Sequence, residues 1–128
     1  MFAITIIAIG AGGALGALAR YGAGLLAVVA FGGAFSWGTM IVNIVGSLVM
    51  GGVAAYVSAV PSGLSDAVRL GIMTGFLGAF TTFSAFSLDF MRLWTRGDMA
   101  QAFLYAGGSV IACLAAVFIG AALIKQWV

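Results

Sequence analysis

The sequence predicts an all-α integral membrane protein, one four-span domain over residues 1–128. Three observations predict it. The chain is 64% hydrophobic and only 6% charged, too apolar for a soluble domain of its length. Four apolar stretches each reach the ~20 residues a helix needs to cross hydrocarbon. Short segments with turn chemistry separate them. Five basic and three acidic residues leave a net charge of +2, too sparse for a nucleic-acid footprint, so no nucleic-acid partner is expected. With no histidine and one cysteine, Cys113, an internal disulfide and His/Cys metal clusters are excluded.

The first span begins near Phe2 and reaches at least Ala19, with an apolar extension past Arg20 towards Val29. Ala17-Leu18-Ala19 has the small residues of a signal-peptide cleavage site. No basic residue precedes the apolar run, however, and Ala3 to Ala19 is long, so the segment reads as a true span. The second span runs from Trp37 to about Val60, after Phe31-Gly32-Gly33-Ala34-Phe35-Ser36, with Ser36 as N-cap. The third runs from Ala67 to about Trp94, after Pro61-Ser62-Gly63-Leu64-Ser65-Asp66, with Ser65 or Asp66 as cap. The fourth runs from Met99 to about Lys125, after Thr95-Arg96-Gly97-Asp98, and Asp98 with Gln101 reads as a capping box. Trp37, Trp94 and Trp127 fall at span ends, as an aromatic belt requires.

Four spans put both termini on one side, with Arg69 and Lys125; Arg20, Arg92 and Arg96 lie on the other. Two cations against three is almost no bias, which predicts insertion both ways up. The small-xxx-small pairs Gly12–Gly16 and Gly13–Ala17, and the run Gly46, Met50, Gly51, Gly52, predict close helix contacts. Four short spans enclose little alone, so a homodimer is the smallest unit able to build a pathway.

No span carries an acid near its centre: Asp66 and Asp98 fall in loops, and Asp89 falls near the end of the third span. That argues against proton coupling and against hydrolysis by carboxylate or histidine bases. Thr39, Asn43 and Ser47 recur on one face of the second span, and Tyr105, Ser109 and Cys113 on one face of the fourth. Such stripes serve either as interhelical hydrogen bonds or as a row of donors for an anion. Arg20 either raises local anion concentration or snorkels as an interfacial anchor. Cys113 reads as a small packing residue in an apolar helix.

The third span raises a sharper question. Its centre reads Gly75-Phe76-Leu77-Gly78-Ala79-Phe80-Thr81-Thr82-Phe83-Ser84-Ala85-Phe86-Ser87, with glycines and hydroxyls at mid-membrane depth. Irregular backbone is tolerated there only where protein or water covers it, and an unwound turn frees carbonyls that can hold a cation. Phe83 and Phe86 stand side by side at i, i+3, and ring edges are electropositive. By spacing alone, Phe76, Phe80, Phe83 and Phe90 fit a packing stripe better.

Three blocks change that balance: Gly12 to Tyr21 (GGALGALARY), Gly38 to Gly46 (GTMIVNIVG) and Gly75 to Ser87. Together, in order and spacing, they resemble the Fluc (CrcB-like) fluoride channels. The resemblance covers the whole chain, and the third block is its most specific part. It implies an antiparallel dual-topology homodimer with a broken third helix and two fluoride pores, multi-pass in the cell inner membrane, with fluoride and the lipid bilayer as partners. Asn43 corresponds to the pore amide, and Phe83 and Phe86 to the aromatics whose edges meet fluoride. Gly78 and Thr81 correspond to positions whose carbonyls hold a structural sodium ion. Arg20 corresponds to a vestibule arginine. Tyr105 and Ser109 match a polar track on the fourth helix, with Thr39 near it. Cys113 stands where relatives often carry a hydroxyl, and Ala79 and Phe80 where glycine and a smaller aliphatic residue are common.

Two rivals remain. A small proton-coupled dual-topology exporter needs a titratable carboxylate, typically in the first span, and Phe2 to Val29 has none. A non-conducting structural membrane subunit would tolerate replacement of Asn43 or Phe86.

Overall fold

The computed structural model describes residues 2–128. Its elements are α1 (Phe2–Phe31), α2 (Trp37–Ala59), α3 (Asp66–Leu70), a π-helical segment (Gly71–Leu77), α4 (Gly78–Phe80), α5 (Phe83–Thr95) and α6 (Met99–Lys125). Four stretches are long and apolar enough to cross a membrane: Phe2–Phe31, Trp37–Ala59, Asp66–Thr95 and Met99–Lys125. The protein is a multi-pass, all-helical membrane protein. The first span runs unbroken to Phe31, past Arg20, so its 30 residues measure about 45 Å at 1.5 Å per residue. That exceeds a hydrocarbon core of about 30 Å, so α1 tilts or projects beyond it.

The connections carry the residues that end helices. Gly32 and Gly97 adopt φ of 77° and 84°, left-handed values that side chains resist. Ser65 caps α3, its hydroxyl accepting from the Val68 amide at 3.4 Å. Ser36 and Asp98 stand at N-cap positions without making a side-chain cap bond, so the Asp98–Gln101 capping box does not form. Backbone pairs one first-turn amide instead: the Met99 amide donates to the Gly97 carbonyl at 2.9 Å.

Glycines set how closely the helices approach. A methyl at Gly51 would overlap the Val117 carbonyl, and one at Gly120 would overlap the Leu48 carbonyl. These two glycines let α2 and α6 touch backbone to backbone, and this pair forms the largest interface in the fold. Gly12 and Gly16 do the same for α1 against the π-helical segment, where a methyl would meet the Gly71 and Phe76 carbonyls. The small-residue pairs of the first span are therefore used within the chain. Side chains elsewhere on α1 and α6, among them Leu18, Leu26, Val29, Leu104, Ile111 and Phe118, point outward and are exposed, as a lipid-facing surface requires.

The third span changes its winding twice. Within Gly71–Leu77 the ladder widens, and the Gly78 amide donates to the Met73 carbonyl five residues back. At Thr81 and Thr82 the backbone becomes extended, with φ/ψ of −87°/156° and −155°/117°. Helix resumes at Phe83, with Thr82 as its N-cap: the Thr82 hydroxyl accepts from the Ala85 amide at 3.1 Å.

Candidate functional site

Extended backbone at Thr81-Thr82 strands peptide groups that a helix would pair, and a side chain from another helix takes them. The Thr82 amide donates to Asn43 Oδ1 at 2.7 Å, and Asn43 Nδ2 donates to the Thr82 carbonyl at 3.1 Å. One amide side chain thus satisfies both polar groups of one peptide residue. Asn43 is positioned for this by α2, where Gly46 one turn on lets Thr81 close in: a methyl there would overlap Thr81 Cγ2. Asn43 keeps its second N–H, since only one of its two is used in this pair.

Four carbonyls, those of Gly78, Ala79, Phe80 and Thr81, lose the donors that a continued helix would bring from four residues on. A continued helix would return the Thr82 amide to the Gly78 carbonyl and the Ala85 amide to the Thr81 carbonyl. The first amide goes to Asn43 and the second to the Thr82 hydroxyl. Thr81 also turns its own hydroxyl back to the Leu77 carbonyl at 2.9 Å, away from solvent. Gly78, at one end of this stretch, is exposed on the surface of the chain, while Thr82 at the other end is buried.

Two cavities meet at Thr82. The larger, about 450 Å³, is lined by Asn43, Ser47, Thr82, Phe83, Phe86, Ser109 and Cys113 with apolar neighbours. The smaller, about 190 Å³, is lined by Arg20, Gly24, Gly38, Thr39, Val42, Thr82 and Ala85. A small solute at Arg20 and one at Phe86 are therefore separated by little more than Thr82. Arg20 has no ion-pair partner among the described residues, so its charge is available to the smaller cavity.

The Phe83 and Phe86 rings lie 5.3 Å apart at 37°. Phe86 also stacks on Tyr105 at 5.3 Å, whereas Phe83 is 76% exposed and touches little of its own chain. Phe76 and Phe80 stack on each other at 5.8 Å and Phe90 packs on Trp94 at 6.0 Å, so the phenylalanines of the third span divide into three groups rather than one stripe. Ser109 is 3% exposed, and its hydroxyl has no partner among the described residues.

Thr39 and Tyr105, expected in the row of donors, turn toward a residue that the sequence reading set aside. Asp89 is 6% exposed. Thr39 donates to its Oδ2 at 2.6 Å, Tyr105 donates to the same oxygen at 3.4 Å, and Arg92 pairs with Oδ1 at 3.3 Å. The carboxylate is thereby neutralised and hydrogen-bonded, which a buried charge requires. Tyr105 is fully buried beneath Phe86 and Phe35 and does not line the larger cavity. A sequence signal existed: Thr82, Phe86, Asp89 and Leu93 share one helical face, and all but Phe86 are buried. Replacing Thr39 by Val should lower stability by about 1.5–3 kcal/mol, the worth of a hydrogen bond to a charged group. Denaturant titration in detergent reads this, and Thr39→Ser should recover most of it. Cys113, expected to be packing, also lines the larger cavity.

The model of the family described as "CrcB-like protein, Camphor Resistance (CrcB)" matches residues 7–121. The chain belongs to the CrcB-like family. Among its relatives, "Fluoride-specific ion channel FluC 2" of Nitrobacter hamburgensis is 44% identical over 115 residues, which is 90% of this chain and 92% of the relative. "Fluoride-specific ion channel FluC" of Hyphomonas neptunium is 48% identical, covering 85% of this chain and 86% of the relative. The protein of the same description from Rhizobium etli is 43% identical, covering 98% and 99%. Coverage is near complete on both sides. The CrcB-like match therefore spans α1 through α6, and both cavities fall inside it.

Proposed function

We propose that this protein is a passive fluoride-specific ion channel, working without catalysis, that lets fluoride leave the cell across its inner membrane. The observation that carries the reading is the larger cavity, where donors and ring edges converge with no free carboxylate. Asn43 keeps one N–H, the Ser109 hydroxyl is unpartnered among the described residues, and the Phe83 and Phe86 rings, whose edges are electropositive, line the same space. Membership in a family whose relatives bear that activity in their names supports it.

Fluoride gathers at Arg20 in the smaller cavity, passes Thr82, and exchanges hydration for donors and ring edges in the larger one. An inside-negative potential drives an anion outward by about 2.3 kcal/mol per 100 mV, so no coupled energy source is needed.

The functional unit is an antiparallel homodimer with two pores. Two features favour it: the cavity is open on one side, and the Phe83 ring, though it meets Phe86, is left 76% exposed. The change of winding at Thr81-Thr82 is read as the break of the third helix. Its Gly78 and Thr81 carbonyls, two of those deprived of helix donors, would hold a hard monovalent cation such as sodium. Bound there, the ion offsets the freed carbonyls and adds positive field; the chain's own part is to present those oxygens.

Purified protein in liposomes loaded with potassium fluoride tests the reading. Opening the circuit with a potassium ionophore should release fluoride to an external electrode, with chloride left behind. Efflux that needs a proton gradient would transfer Asp89 to the role of a carrier's titrating group, and absence of efflux would leave only a structural subunit. Phe83→Ile preserves bulk but removes the electropositive rim, and should cut efflux about tenfold while leaving the dimer intact, against the about 0.5–1.5 kcal/mol of an aromatic contact. Unchanged efflux would return Phe83 to packing.

A further inference from the structure

The connection between α1 and α2 carries a ring that the proposed pathway does not use. Phe35 stands just before α2; its carbonyl accepts from the Trp37 amide at 2.9 Å, and its ring packs on the Trp37 ring at 4.7 Å. Held there, the Phe35 ring lies 5.5 Å from the Tyr105 ring at 83°. Tyr105 is fully buried, and Phe86 stacks on it at 5.3 Å and 28°. Of these four rings Phe86 alone lines the larger cavity. A helix does not fix how a phenylalanine ring is turned, because the torsion to a flat ring is broad, so its neighbours must. Phe83, the other ring beside Phe86, is 76% exposed and offers a loose support. Tyr105 is the firm one. Its hydroxyl does little to hold it, reaching Asp89 Oδ2 at 3.4 Å where Thr39 already donates at 2.6 Å. Packing therefore places the Tyr105 ring, and among the residues packed around it Phe35 is the one that a loop supplies.

We propose that Phe35 is a positioning residue for the anion pathway: it backs Tyr105, and Tyr105 in turn fixes the tilt of the Phe86 ring at the larger cavity. Its role in conduction rests on the channel reading above. A ring's rim is electropositive and its face electronegative, so a Phe86 ring that turns trades attraction for repulsion toward an anion. Leucine at position 35 keeps apolar bulk but loses the flat surface set against Tyr105. Tyr105 then gains room to tilt, and Phe86, stacked on it, tilts with it. The loop that joins the first two spans thereby acts on a ring of the third through a ring of the fourth, without touching the solute.

The test uses the full chain, in liposomes for fluoride efflux and in fluoride-free detergent for fluorine NMR, with para-fluorophenylalanine placed at Phe86 or, as control, at Phe118, which is exposed on the same helix as Tyr105. Phe35→Leu should cut efflux about two- to tenfold, the worth of one aromatic contact, and Phe35→Tyr, which restores a ring, should recover it. The Phe86 resonance should move or double in Phe35→Leu and return in Phe35→Tyr, with the Phe118 resonance unchanged throughout. A Phe86 resonance that stays put in Phe35→Leu overturns the positioning, and so does a Phe118 resonance that moves as far, since the change is then global. A moved Phe86 resonance with unchanged efflux overturns the role in conduction. Phe35→Met replaces Phe35→Leu if the latter is not monodisperse; if neither folds, Phe35 is a folding residue and the proposal falls. Parental protein that passes no fluoride removes the channel reading and the conduction half with it, while the resonance still decides whether Phe35 sets the Phe86 ring.

Discussion

Asn43→Asp should reduce fluoride efflux to the level of empty liposomes. The substitution keeps an oxygen for the Thr82 amide, which sits 2.7 Å from Asn43 Oδ1. It removes the N–H that reaches the Thr82 carbonyl at 3.1 Å and sets oxygen against oxygen there. It also turns the remaining donor, the one facing the cavity, into negative charge. The electrostatic part is the larger: a unit charge 4 Å from an anion repels it by about 4 kcal/mol at an effective dielectric of 20. Asn43→Ala separates the two effects, since it breaks the pairing without adding charge. Efflux of Asn43→Asp at the parental rate would remove Asn43 from the pathway.

The second large effect concerns folding. Gly120→Val should abolish the monodisperse species in detergent, because the obstacle is the Leu48 carbonyl, a backbone atom that has no rotamer to move to. Overpacking an ordinary core costs about 1–3 kcal/mol, occasionally more, and a clash with backbone belongs at the upper end. Gly107→Ala, on the same helix, adds a methyl into open space and should change little. A well-folded Gly120→Val protein would mean that α2 and α6 can separate without loss.

The spans were legible because hydropathy and turn chemistry are local properties. Phe2, Trp37 and Met99 open their helices where the sequence placed them, and Lys125 closes α6. The family was legible from three short blocks in order. What was not legible depended on which helix faces which. Asp89 reads as a terminal charge until α2 brings Thr39, fifty residues away, within 2.6 Å of it. Thr39 and Tyr105 looked like two members of donor rows because their own helices show only spacing, not the acceptor opposite. The same limit applies to Cys113: an apolar helix says the thiol is inside the membrane, but only the crossing of α2 and α6 says that it borders a cavity. The π-helical winding of Gly71–Leu77 had a trace in Gly71 and Gly75, whose small size reads equally well as ordinary close packing.

The pairing of Thr82 with Asn43 bears on biogenesis. Entering lipid alone, the third span would expose the Thr82 amide at a depth where an unmatched group costs several kcal/mol. Among the described residues, the side chain that takes that amide is Asn43, in a segment synthesised 39 residues earlier. The nascent chain must therefore hold its second segment beside the insertion machinery until the third arrives, so that the two leave as a hairpin rather than one after the other.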